Sequence, residues 1–295
     1  MFEYLVLSGA GPNGLGQIGI IKTMFDKQKL DMKKIKKVYG TSAGAIIGTL
    51  LILDIDINQI IDYFIYRPWN KLVKLDMETV LHLNEKKGML DNDLLKQVLI
   101  PLLHANDIPI DFTLKDAYAK TNIELHIMTT ELSSFTTVTL NHLTFPDLKL
   151  IDACCMSASV PPLFTPVQYL DKYYIDGGIL NNYPVHDLMC SIPNTEHDKI
   201  LSIRIMKNAK DEVSFNFKEM SAITYAHYIL NKSFGVLGCF DVGKNILKCE
   251  IICLTDHSMS DLELWKLFMG TVENRQSIYQ QGVTSCESFL EKLIN

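Results

Sequence analysis

The sequence predicts an α/β fold of three layers, an α/β/α arrangement with a central, mostly parallel sheet between helices. Two short apolar segments, at 2–7 and 38–39, are each followed by a glycine-containing turn and then by a helical pattern of apolar residues. Continuous apolar segments indicate strands buried on both faces, as in parallel sheets. Turns that follow parallel strands meet at one edge of the sheet, where α/β proteins commonly place their sites.

The two predicted units have the same order of elements. The first is the strand at 2–7, a turn rich in glycine over 9–16, and a helix with apolar residues every three or four positions. The second is the strand at 38–39, a tight turn at 40–44, and a strongly apolar helix that ends near residue 53. Repetition of strand, turn and helix is the pattern expected of a parallel sheet covered by helices.

The rest of the chain alternates helical and β-branched segments. Residues 56–118 are predicted to be mostly helical, and Asp91 is expected to cap a helix over 92–100. The later elements are predicted to be strands at 123–132 and 136–140, a helix at 151–159, a proline-rich loop at 160–166, a pair of strands at 167–175, strands at 199–205 and 250–254, and a helical tail over 261–293 with a break at Gly282.

Composition favours an ordinary globular protein of 295 residues, 47% hydrophobic and 21% charged. With no linker or repeat to divide it, we predict a core over 1–205 and a mainly helical part over 206–295 that packs on the same domain. A net charge of −6 argues against nucleic acid as a partner, because phosphate contacts need a basic surface. The sequence leaves the oligomeric state open.

Targeting and redox signals favour a cytoplasmic protein. The seven cysteines have no regular spacing and no C-x-x-C pair, which predicts reduced thiols instead of a disulfide framework or a zinc site. The N-terminus lacks the pattern of a signal peptide, and the longest apolar segment, at 43–53, is shorter than the roughly 20 residues of a membrane span. Any contact with membranes should therefore be peripheral and reversible.

The turn after the second strand has the sequence Gly40-Thr41-Ser42-Ala43-Gly44. A G-x-S-x-G turn between a strand and a helix exposes a nucleophilic serine, and its small neighbours allow strand and helix to cross closely. The helix that follows directs N–H groups and the positive end of its dipole toward the site. The structural alternative is a helix start in which Thr41 or Ser42 is only an N-cap.

The turn after the first strand supplies a candidate oxyanion hole. Donor groups of this loop would face the carbonyl oxygen of an ester attacked by Ser42. The predicted oxyanion-hole residues are Gly9, Ala10, Gly11, Asn13 and Gly14. The same loop loosely fits the G-x-G-x-x-G fingerprint of dinucleotide-binding proteins, with Asp31 near the position of the acidic residue that binds ribose. Both interpretations place an anion at the N-terminus of a helix.

A serine hydrolase also needs a base. Asp176 is followed by Gly177 and Gly178, a pattern that by itself indicates a simple turn. The order nucleophile, acid, histidine of the α/β-hydrolases leaves three histidines downstream of Asp176, none within an evident motif: His186, His227 and His257.

Together the three motifs resemble those of the patatin-like phospholipases. Their order and spacing match, with GAGPNG at 9–14, GTSAG at 40–44 and DGG at 176–178, and the flanking segments match over about residues 4–205. The resemblance implies a dyad in which Ser42 attacks the acyl carbonyl and Asp176 accepts its proton. It implies hydrolysis of acyl esters of lipids, most of all phospholipids, through an acyl-enzyme that needs no metal or cofactor.

The glycine loop departs from the family pattern. Ala10 stands where the family has a glycine, Asn13 replaces a basic residue, and Pro12 has no N–H to donate. We therefore expect Ala10 to have a negative φ, because a residue with a side chain is strained in the left-handed region. The departures leave a non-catalytic lipid-binding protein of the same fold as one alternative. A second alternative is a Ser-His-Asp esterase that uses one of the downstream histidines.

Two surface features have alternative interpretations. The aromatic residues of the 56–75 segment, Tyr63, Phe64, Tyr66 and Trp69, are candidates for a lid or a lip that faces lipid. The lysines of the 33–37 segment form a basic cluster, which is either a solvated connection or a contact for anionic lipid head groups.

Overall fold

The structure, a computed structural model, describes residues 1–72, 87–207, 225, 229, 247, 249–255 and 261–294. Its strands are β1 (Tyr4–Leu7), β2 (Lys37–Thr41), β3 (Glu124–Glu131), β4 (Thr136–Leu140), β5 (Val167–Tyr169), β6 (Lys172–Asp176), β7 (Ile200–Lys207) and β8 (Glu250–Thr255). Its α-helices are α1 (Gly14–Asp26), α2 (Ala43–Ile52), α3 (Ile57–Tyr66), α4 (Asn92–Ala105), α5 (Leu114–Thr121), α6 (Leu150–Ala158), α7 (Val185–Cys190), α8 (Asp261–Met269) and α9 (Val272–Ile294).

The eight strands form one sheet in the order β5-β6-β3-β2-β1-β7-β8, with β4 paired to β3 as well. Strands β3, β2, β1, β7 and β8 run parallel to one another, whereas β4, β5 and β6 join by antiparallel pairing. The predicted central, mostly parallel sheet is therefore confirmed, and so are the strand pair at 167–175 and the helix after Asp91. The Asp91 side chain accepts a hydrogen bond from the Asp93 N–H, as an N-cap does.

Helices cover both faces of the sheet. Leu5 and Leu7 of β1 belong to the large apolar cluster that includes side chains of α1, α2 and α4. Tyr4 and Val6 point to the opposite face, into a smaller cluster with residues of α7. Because successive side chains of a strand alternate between faces, the two clusters establish three layers.

The register of β3 places the ends of two strands side by side. Thr41, the last residue of β2, pairs with Met128, and Asp176, the last residue of β6, pairs with Thr129. Residues 129–131 pair with β4 as well as with β6, so these two strands lie on opposite edges of β3. Strands β2 and β6 therefore lie along the same edge of β3, one after the other, and they run toward each other. The residues that follow Thr41 and the residues that follow Asp176 meet where the two strands end.

The predicted break of the C-terminal helix at Gly282 is wrong. The helical tail is interrupted at Gly270, and α9 continues through Gly282 to Ile294. A side chain at Gly282 would collide with the backbone of Gly16, so this glycine allows α9 to pack closely against α1. No helix of the described residues combines the length and the apolarity that a membrane crossing requires.

Further contacts join the tail to the core. The buried Arg275 guanidinium of α9 donates hydrogen bonds to the carbonyl oxygens of Ile65 in α3, at 2.6 Å, and of Phe268 in α8, at 2.7 Å. These carbonyls lie in the last turns of their helices, where no intrahelical partner is available. We propose on this basis that the part after residue 205 belongs to the same domain.

Two of the four aromatic residues suggested for a lid or lip are part of the core instead. Phe64 and Trp69 are buried, and their rings stack at 5.8 Å between centroids. The Trp69 indole N–H donates to the Phe64 carbonyl oxygen at 2.9 Å. Tyr66 is exposed and Tyr63 is partly exposed, and residues 73–75 of the suggested segment lie outside the described residues.

Candidate active site

Ser42 lies in the sharp turn between β2 and α2 and is partly exposed. Its backbone has φ 53° and ψ −120°, a combination that costs a residue with a side chain roughly 1–3 kcal/mol. The strained turn is held by hydrogen bonds: the Ser42 N–H donates to the Ser157 hydroxyl at 2.8 Å, and that hydroxyl donates to the Met128 carbonyl at 2.6 Å. Strand, turn and helix α6 thus fix the direction of the Ser42 side chain.

The two glycines that flank Ser42 are required by close backbone contacts. A methyl group on Gly40 would lie 2.7 Å from the Gly44 carbonyl oxygen, and one on Gly44 would lie 2.6 Å from the Ser8 carbonyl oxygen. Side chains at these positions would push α2 away from β1 and β2. The G-x-S-x-G pattern therefore has a packing origin as well as a conformational one.

Asp176 ends β6 beside this turn. Its carboxylate accepts a hydrogen bond from the Gly178 N–H at 2.7 Å. Asp176 is 5% exposed. Burial raises its pKa to about 6, and the interactions with the Ser42 side chain and the Gly178 N–H act in the opposite direction. Gly177 lacks a side chain where the chain passes the Met128 backbone at close range.

The glycine loop adjoins Ser42. A methyl group on Gly9 would lie 3.5 Å from the Ser42 Cβ atom, so the start of the loop is in contact with the serine. Ala10 has φ −151°, whereas Gly11 has φ +51°. The expectation for Ala10 is confirmed, because the left-handed position of the loop falls on a residue that remained glycine.

Hydrogen bonding narrows the set of predicted oxyanion donors. Three of the five N–H groups have acceptors: Gly9 donates to the Asn182 carbonyl at 2.8 Å, Asn13 to the Ala10 carbonyl at 3.1 Å, and Gly14 to the Gly11 carbonyl. Within the described part of the chain, the N–H groups of Ala10 and Gly11 have no acceptor. They remain the candidates to bind an oxyanion next to Ser42.

Asn182 is a site residue that the sequence did not single out. Its side-chain amide donates to the Gly9 carbonyl at 3.2 Å, and its own carbonyl accepts from the Gly9 N–H. The neighbouring Asn181 carbonyl accepts a hydrogen bond from the Thr41 hydroxyl at 2.9 Å. The segment after Asp176 is thereby attached both to the glycine loop and to the end of β2. Only its position four residues after the DGG motif could have drawn attention to Asn182.

None of the histidines that the structure describes is a hydrogen-bond partner of Ser42 or Asp176. His186 is exposed, and its ring lies 3.7 Å from the Cys190 sulfur. His227 and His257 lie outside the described residues. His126, the most buried of the described histidines, forms a hydrogen bond with Glu124 at the start of β3, and burial lowers its pKa to about 4.

The position of Asp31 does not fit the dinucleotide-binding alternative. Asp31 accepts a hydrogen bond from the Lys33 N–H and precedes β2. It therefore lies toward the amino ends of the parallel strands, whereas the glycine loop lies at their carboxyl ends. A ribose-binding carboxylate would have to lie near the carboxyl end of a strand. The described residues also include no cluster of three or more histidine, cysteine or acidic side chains suited to a metal ion.

The chain is similar to known lipid hydrolases in sequence. The family model described as patatin-like phospholipase matches residues 5–189. The chain is 26% identical over 206 residues to the "Probable lipid hydrolase 463L" of Invertebrate iridescent virus 6, an alignment that covers 67% of each protein. It is 27% identical over 213 residues to Triacylglycerol lipase 4 of Saccharomyces cerevisiae, covering 62% of this chain and 22% of the yeast protein.

Among solved structures, VipD from Legionella pneumophila has a similar fold. The two superpose with a TM-score of 0.58 at 18% identity, over 99% of this chain and 67% of VipD. At this identity the similarity concerns the fold, which agrees with the sheet and layers described above.

Proposed function

Because the chain belongs to the patatin-like phospholipase family, we propose that it hydrolyses acyl esters of lipids through a Ser42–Asp176 dyad. The observation that carries this proposal is the register of β3, which brings the turn at Ser42 and the buried Asp176 carboxylate together, so that the Ser42 side chain acts on the pKa of Asp176. The N–H groups of Ala10 and Gly11, which have no acceptor among the described residues, support it because they directly follow Gly9, the loop residue nearest to the serine. Phospholipids are the proposed substrates, and contact with their membranes is peripheral.

In the first half-reaction the Ser42 oxygen attacks the acyl carbonyl carbon while Asp176 takes the hydroxyl proton. The carbonyl oxygen becomes an oxyanion that Ala10, Gly11 and the start of α2 stabilise. Collapse of this intermediate breaks the ester bond, and Asp176 returns the proton to the departing alcohol. The acyl group stays on Ser42.

In the second half-reaction water takes the place of the alcohol. Asp176 accepts a proton from the water as its oxygen attacks the acyl-enzyme, and the proton passes to Ser42 when the fatty acid leaves. The raised pKa of Asp176 favours both steps, since a carboxylate with a pKa of about 6 is a stronger base than an ordinary aspartate and is still ionised at neutral pH.

This assignment predicts the pH dependence. Hydrolysis requires the carboxylate form of Asp176, so kcat/KM is expected to rise with pH around a midpoint near 6 and then level off. The midpoint should shift little between cold and warm assays, because carboxyl groups ionise with almost no enthalpy change. A midpoint that falls markedly on warming would instead identify an imidazole base. Initial rates with a soluble nitrophenyl ester at two temperatures provide the measurement.

The experiment that tests the function combines labelling with hydrolysis. A fluorophosphonate probe should add to Ser42 of the wild-type protein, located by mass spectrometry, and should spare Ser42→Ala. The wild type should hydrolyse a short-chain nitrophenyl ester and a phospholipid, and Ser42→Ala neither. A wild type that hydrolyses no lipid ester would favour the non-catalytic, lipid-binding alternative. Loss of activity in His227→Ala or His257→Ala, with Asp176→Asn active, would favour the Ser-His-Asp esterase.

A further inference from the structure

Four exposed apolar side chains cluster at the turns of two neighbouring hairpins. Leu132 and Phe135 are in the turn between β3 and β4, and Leu170 and Tyr173 are in or next to the turn between β5 and β6. The Leu132 N–H donates to the Tyr173 carbonyl at 2.8 Å, so the two turns are adjacent. We call these four residues the hairpin tips.

The hairpin tips lie at the same end of the sheet as Ser42. Strand β3 continues past Thr129, the partner of Asp176, and the two turns follow three to five positions later. At about 3.4 Å for each residue, the tips extend roughly 10–17 Å beyond Asp176 along the sheet. A surface that touches the tips is therefore close to the opening of the proposed site.

The backbone at both turns is unusual for the residues it carries. Phe135 has φ +51° and Leu170 has φ +53°, in the left-handed region where glycine and asparagine are favoured. Leu170 is 76% exposed, so neither packing nor conformational preference accounts for a leucine there. Strain kept at an exposed position points to a use for the side chain.

Several polar groups of the two turns already have partners within the protein. The Glu131 carboxylate accepts hydrogen bonds from the Ser133 N–H at 2.8 Å, the Ser134 N–H at 3.2 Å and the Ser134 hydroxyl. The Leu170 carbonyl accepts from the Gln168 side chain at 3.3 Å. Removal from water therefore leaves few of these groups without partners, which lowers the cost of entering an apolar phase.

From these features we infer that the hairpin tips insert into the surface of the lipid assembly that holds the substrate. The inference rests on the proposed function for its choice of partner. The exposed charges of the β5–β6 turn, Asp171 and Lys172, are opposite in sign, so insertion is driven by apolar burial and works on zwitterionic lipid.

The basic cluster considered from the sequence is a poorer candidate. Lys36 forms an ion pair with Glu3, and Lys37 forms one with Glu124 at 3.2 Å. Both lysines lie at the amino end of β2, the end of the sheet away from Ser42.

Vesicle binding tests the inference with a double variant, Phe135→Asn with Leu170→Asn. Asparagine suits the left-handed backbone, so the variant should fold with equal or greater thermal stability. Binding is measured by flotation with phosphatidylcholine vesicles in the Ser42→Ala background, which removes hydrolysis from the assay. We expect the fraction bound to fall at least about tenfold, with little dependence on salt.

Leu143→Asn is the matched control, because Leu143 is 74% exposed but follows β4 toward the other end of the sheet. It should bind vesicles as Ser42→Ala alone does. Equal binding by the double variant, equal loss in the control, or absence of vesicle binding by the Ser42→Ala protein would each overturn the inference.

Activity separates this inference from the proposed function. With Ser42 intact, the double variant should keep its rate on a soluble nitrophenyl ester and lose about tenfold on vesicle phospholipid. If the wild type hydrolyses no ester but the double variant still binds vesicles more weakly, the proposed function is wrong and the inference about the lipid-binding surface holds. If hydrolysis of vesicle lipid is unchanged in the double variant, the surface fails and the dyad stands.

Discussion

Ser42→Gly is expected to abolish ester hydrolysis and to be more stable than Ser42→Ala. Both variants lose the nucleophile, which typically lowers the rate by about 10⁴- to 10⁶-fold. Alanine normally exceeds glycine in stability by roughly 0.5–1 kcal/mol, but the backbone of Ser42, at φ 53° and ψ −120°, strains any residue with a Cβ atom by roughly 1–3 kcal/mol. The strain is the larger effect, so we expect the free energy of unfolding of Ser42→Gly to exceed that of Ser42→Ala by about 1 kcal/mol.

Urea unfolding of the two inactive variants measures this difference directly, because both lack the hydroxyl and its interaction with Asp176. An alanine variant as stable as the glycine variant would show that the turn is not strained. Residual hydrolysis in both variants above that of buffer-matched blanks would show that another residue is the nucleophile.

Asp176→Asn is expected to lower hydrolysis by roughly 10²- to 10⁴-fold, the usual contribution of a general base. The amide oxygen can still accept a hydrogen bond from the Gly178 N–H, so the turn should persist.

The Asp176→Asn change should also stabilise the protein at about pH 8. Burial raises the pKa of Asp176 from 3.8 to about 6, so the folded state holds this proton more tightly than the unfolded chain.

The stability due to this proton is fully present below about pH 4 and is lost as the pH rises through about 6. Above that range the buried charge destabilises the wild type by about 3 kcal/mol, a penalty that the neutral asparagine avoids. Thermal unfolding at about pH 8 and about pH 4 should therefore show a larger gain for Asp176→Asn at the higher pH. An equal gain at both values would mean that Asp176 is not buried as a carboxylate. Unchanged hydrolysis would remove it from the dyad.

Local patterns were sufficient to predict much of the fold. The apolar segments before Ser42 and the glycine loop predicted two parallel strands, and β-branched alternation predicted β3 to β6. These signals are local because burial and turn geometry act on neighbouring residues. That Ser42 and Asp176 belong to one site was implied only by the resemblance to the patatin-like phospholipases, because no local rule brings them together.

What could not be predicted depends on contacts between distant segments. The pairing of β6 with β3 decides that Asp176 meets Ser42, and strand register is not readable from one strand alone. Asn182 is ordinary in composition, and its role arises only where the loop after Asp176 meets Gly9. Gly282 suggested a helix break because the nearby backbone of Gly16 is invisible in the sequence. The aromatic residues of α3 suggested a lip for the same reason, since their burial depends on helices 200 residues away.

The pairing of β6 with β3 has a consequence for how this architecture can vary among related proteins. A shift of one residue would turn Asp176 to the other face of the sheet, so the strand tolerates no single insertion between its turn and the aspartate. The turn itself, which carries Leu170, is free of that constraint. The residue proposed for catalysis, Asp176, and the residue proposed for contact with lipid, Leu170, thus lie in separate parts of one hairpin. We expect relatives to differ in the length and apolarity of the turn while keeping the spacing of the strand, so that new lipid surfaces can be adopted without rebuilding the dyad.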